Sequence, residues 1–135
     1  MADIYSKKKR SEIMSRIRSK NTSIERMVFH YLRANKIYFQ KHYGRVPGNP
    51  DIALPRKKRA IFLDGDFWHG RNFKVAKLRL PNSYWRDKIQ GNILRDLKKR
   101  RMLKNQGWET LRIWEGDLER KTEMVLHDIA LFLTT

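Results

Sequence analysis

Two short apolar runs joined by a basic turn constrain the fold of this chain more than any other feature. The runs are Asp51–Leu54 and Ala60–Asp64, and the turn is 55–59. A few consecutive apolar residues bounded by turn signals are typical of a buried strand, and a turn of this length suits a hairpin. Because antiparallel strands bring the start of one beside the end of the other, we expect Asp51 to lie near Asp64.

Further titratable residues follow the second run. Asp66 and His69 follow Asp64 by two and five residues. Each aspartate taken alone could be a turn residue that binds its own backbone, but crowded carboxylates repel unless a divalent cation or protons lie among them. Mg²⁺ prefers carboxylate, carbonyl and water ligands together with substrate phosphates, and imidazole suits a general acid or base near neutral pH. The pattern is typical of a metal-dependent nuclease site.

The charge balance indicates the partner. Lys and Arg total 31 against 14 Asp and Glu, a net charge of +17 that is spread through the chain. A structured basic surface implies a phosphate-rich partner such as DNA or RNA. A nucleic-acid binder without chemistry has the same charge signature, so that alternative stays open.

Several classes of protein are excluded or disfavoured by composition. The chain has no cysteine, which excludes disulfides, thiolate zinc sites and cysteine nucleophiles. No apolar run approaches the roughly 20 residues of a membrane helix, and the N-terminus lacks an apolar signal region. We therefore expect a cytoplasmic protein, associated with the bacterial nucleoid if its partner is DNA.

The length of 135 residues predicts one domain, and periodicity and capping signals predict its helices and strands. Residues 1–10 are expected to form a basic flexible arm and residues 11–135 a single domain. Predicted helices cover 11–19, 22–34, 83–105 and 119–133, and predicted strands cover 37–43, 51–54, 60–64 and 108–114. The order α, α, β, β, β, α, β, α predicts a small mixed sheet with helices on its faces.

The helix 83–105 carries a candidate for the site. Asp96 lies on or beside its expected buried stripe, which comprises Trp85, Ile89, Ile93 and Leu97. A buried aspartate needs a partner. His69 is one candidate, since a carboxylate can orient an imidazole as in a catalytic triad, and a neighbouring lysine or arginine is the other.

Aromatic residues form a second constellation around the site. Phe67, Trp68, Tyr84 and Trp85 stand among arginines, in the loop and at the helix start. Large aromatics usually belong to the core, but they can also insert between base pairs and bend DNA. The residues alone favour the core.

Taken together, these motifs resemble the very-short-patch-repair (Vsr) family of bacterial DNA mismatch endonucleases. The resemblance covers about residues 11–118. Its segments, in order, are Met14–Thr22, Glu25, Val46–Asp51, Asp64–His69, Tyr84–Trp85, Asn92, Arg95–Asp96, Gly107–Trp108 and Trp114–Glu115.

The resemblance implies a fold, an activity and a cofactor. The fold would be the restriction-endonuclease-like αβββαβ core of the PD-(D/E)XK superfamily, in the α/β class, with a mixed central sheet and flanking helices. The activity would be Mg²⁺-dependent nicking of double-stranded DNA 5′ to the T of a T·G mismatch, with Mn²⁺ as a substitute. The protein would act as a monomer, with other mismatch-repair proteins as further partners.

The resemblance also implies roles for individual residues. Asp51 and the backbone carbonyl of Leu63 would bind the metal, Glu25 would lie beside it, and His69 would be the acid/base with Asp96 as its partner. The intercalating wedge would consist of Phe67, Trp68 and Trp85.

Two departures from the family pattern modify these expectations. Asp64 stands where the family commonly has histidine, so it would be an additional metal ligand. The positions of the family's structural zinc ligands hold Asp66, Arg71, Phe73 and Asp117, so no zinc is expected, and a salt bridge of Arg71 with Asp66 or Asp117 would replace it. Mismatch specificity therefore competes with restriction-type or homing-type cleavage, and a non-catalytic DNA-binding module is the remaining alternative.

Overall fold

The computed structural model describes residues 23–66 and 83–135, and every structural statement below concerns these residues. The predicted helix 11–19, the basic arm and most of the loop after β3 lie outside them. The elements in chain order are α1 (23–34), β1 (Gln40–Lys41), β2 (Ile52–Leu54), β3 (Arg59–Asp64), α2 (Ser83–Asn105), β4 (Glu109–Trp114), α3 (Glu115–Arg120) and α4 (Thr122–Thr134).

The described strands form one mixed sheet in the order β1-β2-β3-β4. β2 pairs antiparallel with β1 and with β3, so the predicted hairpin is confirmed. β3 and β4 pair in parallel along their whole length, from Arg59 opposite Glu109 to Asp64 opposite Trp114. The crossover between these parallel strands contains α2, and the α/β class with a mixed sheet and helices is therefore confirmed.

Side-chain alternation along the strands divides the core into two clusters. Ile52 and Ile61 point to one face, where they pack in a cluster that includes residues of α1 and α4 such as Val28 and Ile129. Ala53 and Ala60 point to the opposite face, where they pack with Leu103 and Trp108. The small side chains on this second face let α2 lie close to the sheet.

The C-terminal ends of α2 and α4 have recognisable stabilising features. Gly107 follows α2 with φ of 85°, a left-handed conformation that glycine adopts without steric cost and that is typical just past the end of a helix. At the end of α4, Lys57 donates to the carbonyl of Leu133 and Arg59 donates to the carbonyl of Phe132. These cations stabilise the negative end of the helix and tie it to the β2–β3 turn.

Three local predictions were wrong. Only Gln40–Lys41 of the predicted strand 37–43 forms a regular strand, and it ends where His42 takes a left-handed φ of 48°. The predicted helix 119–133 is in fact two helices, which are separated at Lys121. Leu97 is 51% exposed, because the inward stripe of α2 continues through Asp96, Arg100 and Leu103.

Among the helices in these ranges, none combines the length and the apolar character of a membrane span.

Candidate active site

The β2–β3 hairpin builds the centre of the site. Ile52 lies opposite Ile61, so Asp51, one residue earlier, falls beside the end of β3. The backbone N–H of Leu63 donates to Asp51 Oδ2 at 2.7 Å. The juxtaposition of Asp51 with the end of the second strand, which the hairpin predicts, is therefore present.

A cavity of about 370 Å³ opens at this point between the hairpin and α2. Gly48 lines it with φ of 89°, and a Cβ atom there would lie 3.0 Å from Cε1 of Phe62, so any other residue would be strained at this position. Acidic and basic side chains both line the cavity. The acidic ones are Glu25, Asp51, Asp64 and Asp96, and the basic ones are Arg95, Lys99 and Arg100. A metal ion and a phosphate together complement such a lining.

The Asp51 carboxylate is electrostatically crowded. Its pKa is raised from 3.8 to about 7, mainly by burial and in smaller part by the negative charges of Glu25 and Asp64, while the hydrogen bond from Leu63 opposes the change. An acid in this state favours either a proton or a cation beside it. Asp51 and Asp64, two of the carboxylates that the sequence groups together, thus line the same cavity.

Asp64 and Asp96 are joined by one arginine. Arg112 Nε donates to Asp64 Oδ2 at 2.7 Å, and Arg112 Nη2 donates to Asp96 Oδ2 at 2.8 Å. The guanidinium also lies over the ring of Trp114, 4.5 Å from its centroid. Burial, and then the charge of Arg112, lower the pKa of Arg100 beside this network. Asp96 therefore pairs with an arginine, which is one of the two kinds of partner that the sequence suggests for it.

A histidine that the sequence reasoning missed lies on the other side of Asp51. His42 Nε2 is 3.2 Å from Glu25 Oε1. Donor atoms of Glu25, His42 and Asp51 all lie within 4.8 Å of one another. No sequence motif identifies His42. Its position depends on the backbone pairing of residues 42–43 with residues 50–51, which is a tertiary contact.

Comparison with known proteins identifies the family. The sequence model of a family described as DNA mismatch endonuclease Vsr matches residues 2–75. The type II nicking enzyme V.XorIIP of Xanthomonas oryzae pv. oryzae is 36% identical over 121 residues, 87% of this chain and 88% of its own length. The DNA mismatch endonuclease Vsr of Escherichia coli K12 is 32% identical over 127 residues, 92% of this chain and 80% of its own.

The chain belongs to the Vsr family.

As a Vsr-family protein it is a DNA endonuclease, which confirms the resemblance drawn from the motifs. A further type II nicking enzyme, V.NmeAIP of Neisseria meningitidis serogroup A, is 34% identical over 122 residues, 90% of this chain and 87% of its own. The alternative of a DNA-binding protein without catalytic activity is not supported.

The residues around Asp51 fit the divalent cation that Vsr-type chemistry would need. Glu25 and Asp51 supply hard oxygen donors, and His42 supplies a nitrogen within reach of both. Burial and then the charges of Glu25 and Asp64 raise the pKa of Asp51, so a cation beside this carboxylate would favour its ionised form. Leu63 lies beside Asp51, as the predicted ligand set requires, whereas one oxygen of Asp64 is already bound by Arg112.

The remaining predicted Vsr site residues divide into two groups. Phe67, Trp68 and His69 lie outside the described residues, so their roles stay predictions. Trp85 is 1% exposed and packs edge-on against Tyr84 with ring centroids 4.9 Å apart. This is the core position that the residues alone favour, and insertion of Trp85 into DNA stays a prediction that would require it to leave the core.

The positions aligned with the family's zinc ligands make other contacts where they are described. Asp66 Oδ1 accepts from the backbone N–H of Gly116 at 3.3 Å. Asp117 pairs with Arg120 at 3.4 Å. Arg71 and Phe73 lie outside the described residues, so the predicted salt bridge of Arg71 stays a prediction. The contact of Asp66 with Gly116 connects the end of β3 to the start of α3.

Proposed function

We propose that this protein nicks double-stranded DNA by metal-dependent phosphodiester hydrolysis at T·G mismatches, as in very short patch repair. The observation that carries the proposal is the Asp51 carboxylate, which the N–H of Leu63 holds at 2.7 Å beside Glu25 in a cavity that also presents Arg95, Lys99 and Arg100. The αβββαβ order of the described elements supports a restriction-endonuclease-like core as the scaffold.

Asp51 and Glu25 would hold the cation, with the carbonyl of Leu63 as a further ligand. When bound, a divalent cation would stabilise charge on the scissile phosphate and make water a stronger nucleophile near neutral pH. Asp51 is fixed by a backbone hydrogen bond at the end of a hairpin rather than on a loop, so the carboxylate is oriented before the cation arrives.

The basic side of the cavity would bind the DNA backbone. Arg95, Lys99 and Arg100 project from α2 toward the same cavity that the acidic residues line. Cationic side chains at this spacing bind phosphates without reading the sequence. They would place one phosphodiester over Asp51, and one site of this kind cuts one strand, so the expected product is a nick by a monomer.

Proton transfer is assigned to residues beside this cavity. His69 is proposed as the general acid or base. Asp96 would orient it from α2, where Arg112 already fixes the carboxylate at 2.8 Å. Asp96 can accept from both an imidazole and a guanidinium, because a carboxylate offers about four lone-pair positions.

The T·G substrate rests on the family rather than on the described geometry. The relative from Escherichia coli carries the name of a mismatch endonuclease, and several other relatives carry the name of nicking enzymes. Phe67, Trp68 and Trp85 are the proposed wedge that would open the mismatch.

A duplex panel tests the proposal. Duplexes carrying T·G, other mismatches or only paired bases, each labelled on one strand at a time, are incubated with the protein and Mg²⁺ or Mn²⁺. We expect one cut in the T-containing strand of the T·G duplex only. Equal cutting of the paired duplex would replace mismatch repair by the restriction-type alternative, and cutting of both strands would refute the nicking mechanism.

A further inference from the structure

The backbone holds His42 opposite Asp51. The N–H of His42 donates to the carbonyl of Asp51 at 3.0 Å, and the N–H of Tyr43 donates to the carbonyl of Pro50 at 2.9 Å. These bonds extend the pairing of β1 and β2 beyond the last strand residue. His42 takes φ of 48° there, a left-handed conformation that redirects its side chain relative to a regular strand.

The imidazole is positioned by contacts on two sides. The ring of buried Phe29 meets it edge-on at 5.9 Å between centroids. Glu25 Oε1 lies 3.2 Å from Nε2. The side chain remains 53% exposed, so its ring is held in place while one edge stays open to solvent and substrate.

The spacing of the three side chains suits one shared ion. Ligands that bind one cation at about 2.1 Å lie roughly 3 Å apart when adjacent and about 4 Å apart when opposite. The donor atoms of Glu25, His42 and Asp51 all lie within 4.8 Å of one another, so small side-chain movements would bring them to these spacings. An ion pair between Glu25 and His42 alone would not require Asp51 at this distance.

The nitrogen donor changes which metal the site prefers. Mg²⁺ binds oxygen almost exclusively and retains its waters, whereas imidazole suits transition-metal ions. We infer that His42 is a nitrogen ligand of the cation site at Glu25 and Asp51, and that this site takes Mn²⁺ or another transition-metal ion in preference to Mg²⁺. The inference rests on the proposed metal-dependent function and specifies its cofactor.

Electron spin-echo spectroscopy of Mn²⁺ added to the metal-free full chain tests the ligand directly. We expect a ¹⁴N coupling from imidazole in the unmodified protein, and its loss in His42→Asn, since asparagine tolerates a left-handed backbone. His30→Gln, which removes an exposed histidine of α1, should retain the coupling. His42→Gln provides a second variant, and thermal unfolding shows whether each variant is folded.

Metal affinity gives an independent readout. His42→Asn should weaken Mn²⁺ binding about tenfold or more and Mg²⁺ binding by less than about threefold. The reason is that an imidazole ligand increases the affinity for Mn²⁺ and contributes little to the affinity for Mg²⁺. A missing ¹⁴N coupling in the unmodified protein, or a coupling that persists in a folded His42 variant, would overturn the inference.

The same samples separate this inference from the proposed function. Nicking by a protein whose bound Mn²⁺ shows no nitrogen coupling would remove His42 as a ligand and leave the endonuclease proposal intact. Nitrogen coupling in a protein that nicks no duplex with any metal would leave the ligand in place and remove the proposed function.

Discussion

The Arg112 network offers a sharp test of how the site is built. Arg112 donates to Asp64 and to Asp96 through different nitrogens, and the Asp64 side chain is only 8% exposed. Arg112→Met keeps the length and apolar body of the side chain and removes the charge. The substitution therefore leaves two carboxylates of the cavity without this guanidinium, one of them in a buried position.

The expected cost follows from that burial. Removing one partner of a buried ion pair costs about 3–5 kcal/mol. Arg112 and Asp96 are each 20% exposed, so water can replace part of the lost contact and the lower end applies, about 3 kcal/mol. For a domain of this size such a loss lowers the melting temperature by roughly 10 °C.

Urea and thermal unfolding of metal-free protein at neutral pH provide the measurement. Adding Asp64→Asn to Arg112→Met should recover more than half of the loss, because the buried charge is then removed as well. Arg95→Met is the matched control, since Arg95 contacts Asn92 on an exposed part of α2 and should cost less than about 0.5 kcal/mol. An Arg112→Met protein as stable as this control would refute the network's structural role.

Three further predictions concern the site and its scaffold. The pKa of Asp51 is raised from 3.8 to about 7, so between these values the native chain keeps a proton that the unfolded chain has released, and the stability of metal-free protein falls as pH rises. The free energy of unfolding should fall by about 2–4 kcal/mol by pH 8. Urea titrations at pH 5 and pH 8 should show this fall in the unmodified protein and not in Asp51→Asn. The same pH dependence in both proteins would contradict the assignment to Asp51. Gly107→Ala should lower the stability measured by thermal unfolding by about 1 kcal/mol, because Gly107 has a positive φ. Gly91→Ala, within α2, should raise the stability by about 0.5–1 kcal/mol. Equal effects of the two substitutions would contradict the role of the Gly107 conformation. Lys99→Gln should reduce the slope of log K against log salt by about one in DNA-binding anisotropy without metal, and an unchanged slope would exclude a phosphate contact.

Local sequence signals determined the hairpin and the long helix. The apolar runs around the basic turn predict β2 and β3, and the observed pairing of Ile52 with Ile61 places Asp51 as expected. Gly107 lies just past the end of α2, where glycine is typical, so the end of the predicted helix 83–105 agrees with the structure. These features depend on neighbours within a few residues, which is why they were predictable.

The residues that complete the site depend on tertiary packing. His42 reaches Glu25 through a backbone conformation that no periodicity shows, and Arg112 reaches Asp64 because β4 lies parallel to β3. The inward face of α2 turns with the helix, so Asp96 and Arg100 line the cavity while Leu97 is exposed. A stripe predicted from apolar residues alone misses polar residues that face a site.

Single-turnover nicking of a T·G duplex by the unmodified protein and by Asp51→Asn tests the central claim most directly. Each protein is assayed with Mg²⁺, with Mn²⁺ and with chelator, and DNA binding is measured on the same samples. The account predicts nicking by the unmodified protein with either metal and none with chelator, a loss of at least about 10³-fold in Asp51→Asn, and DNA binding retained by both proteins. Undiminished nicking by Asp51→Asn, or nicking that persists in chelator, would contradict a metal-dependent site at Asp51.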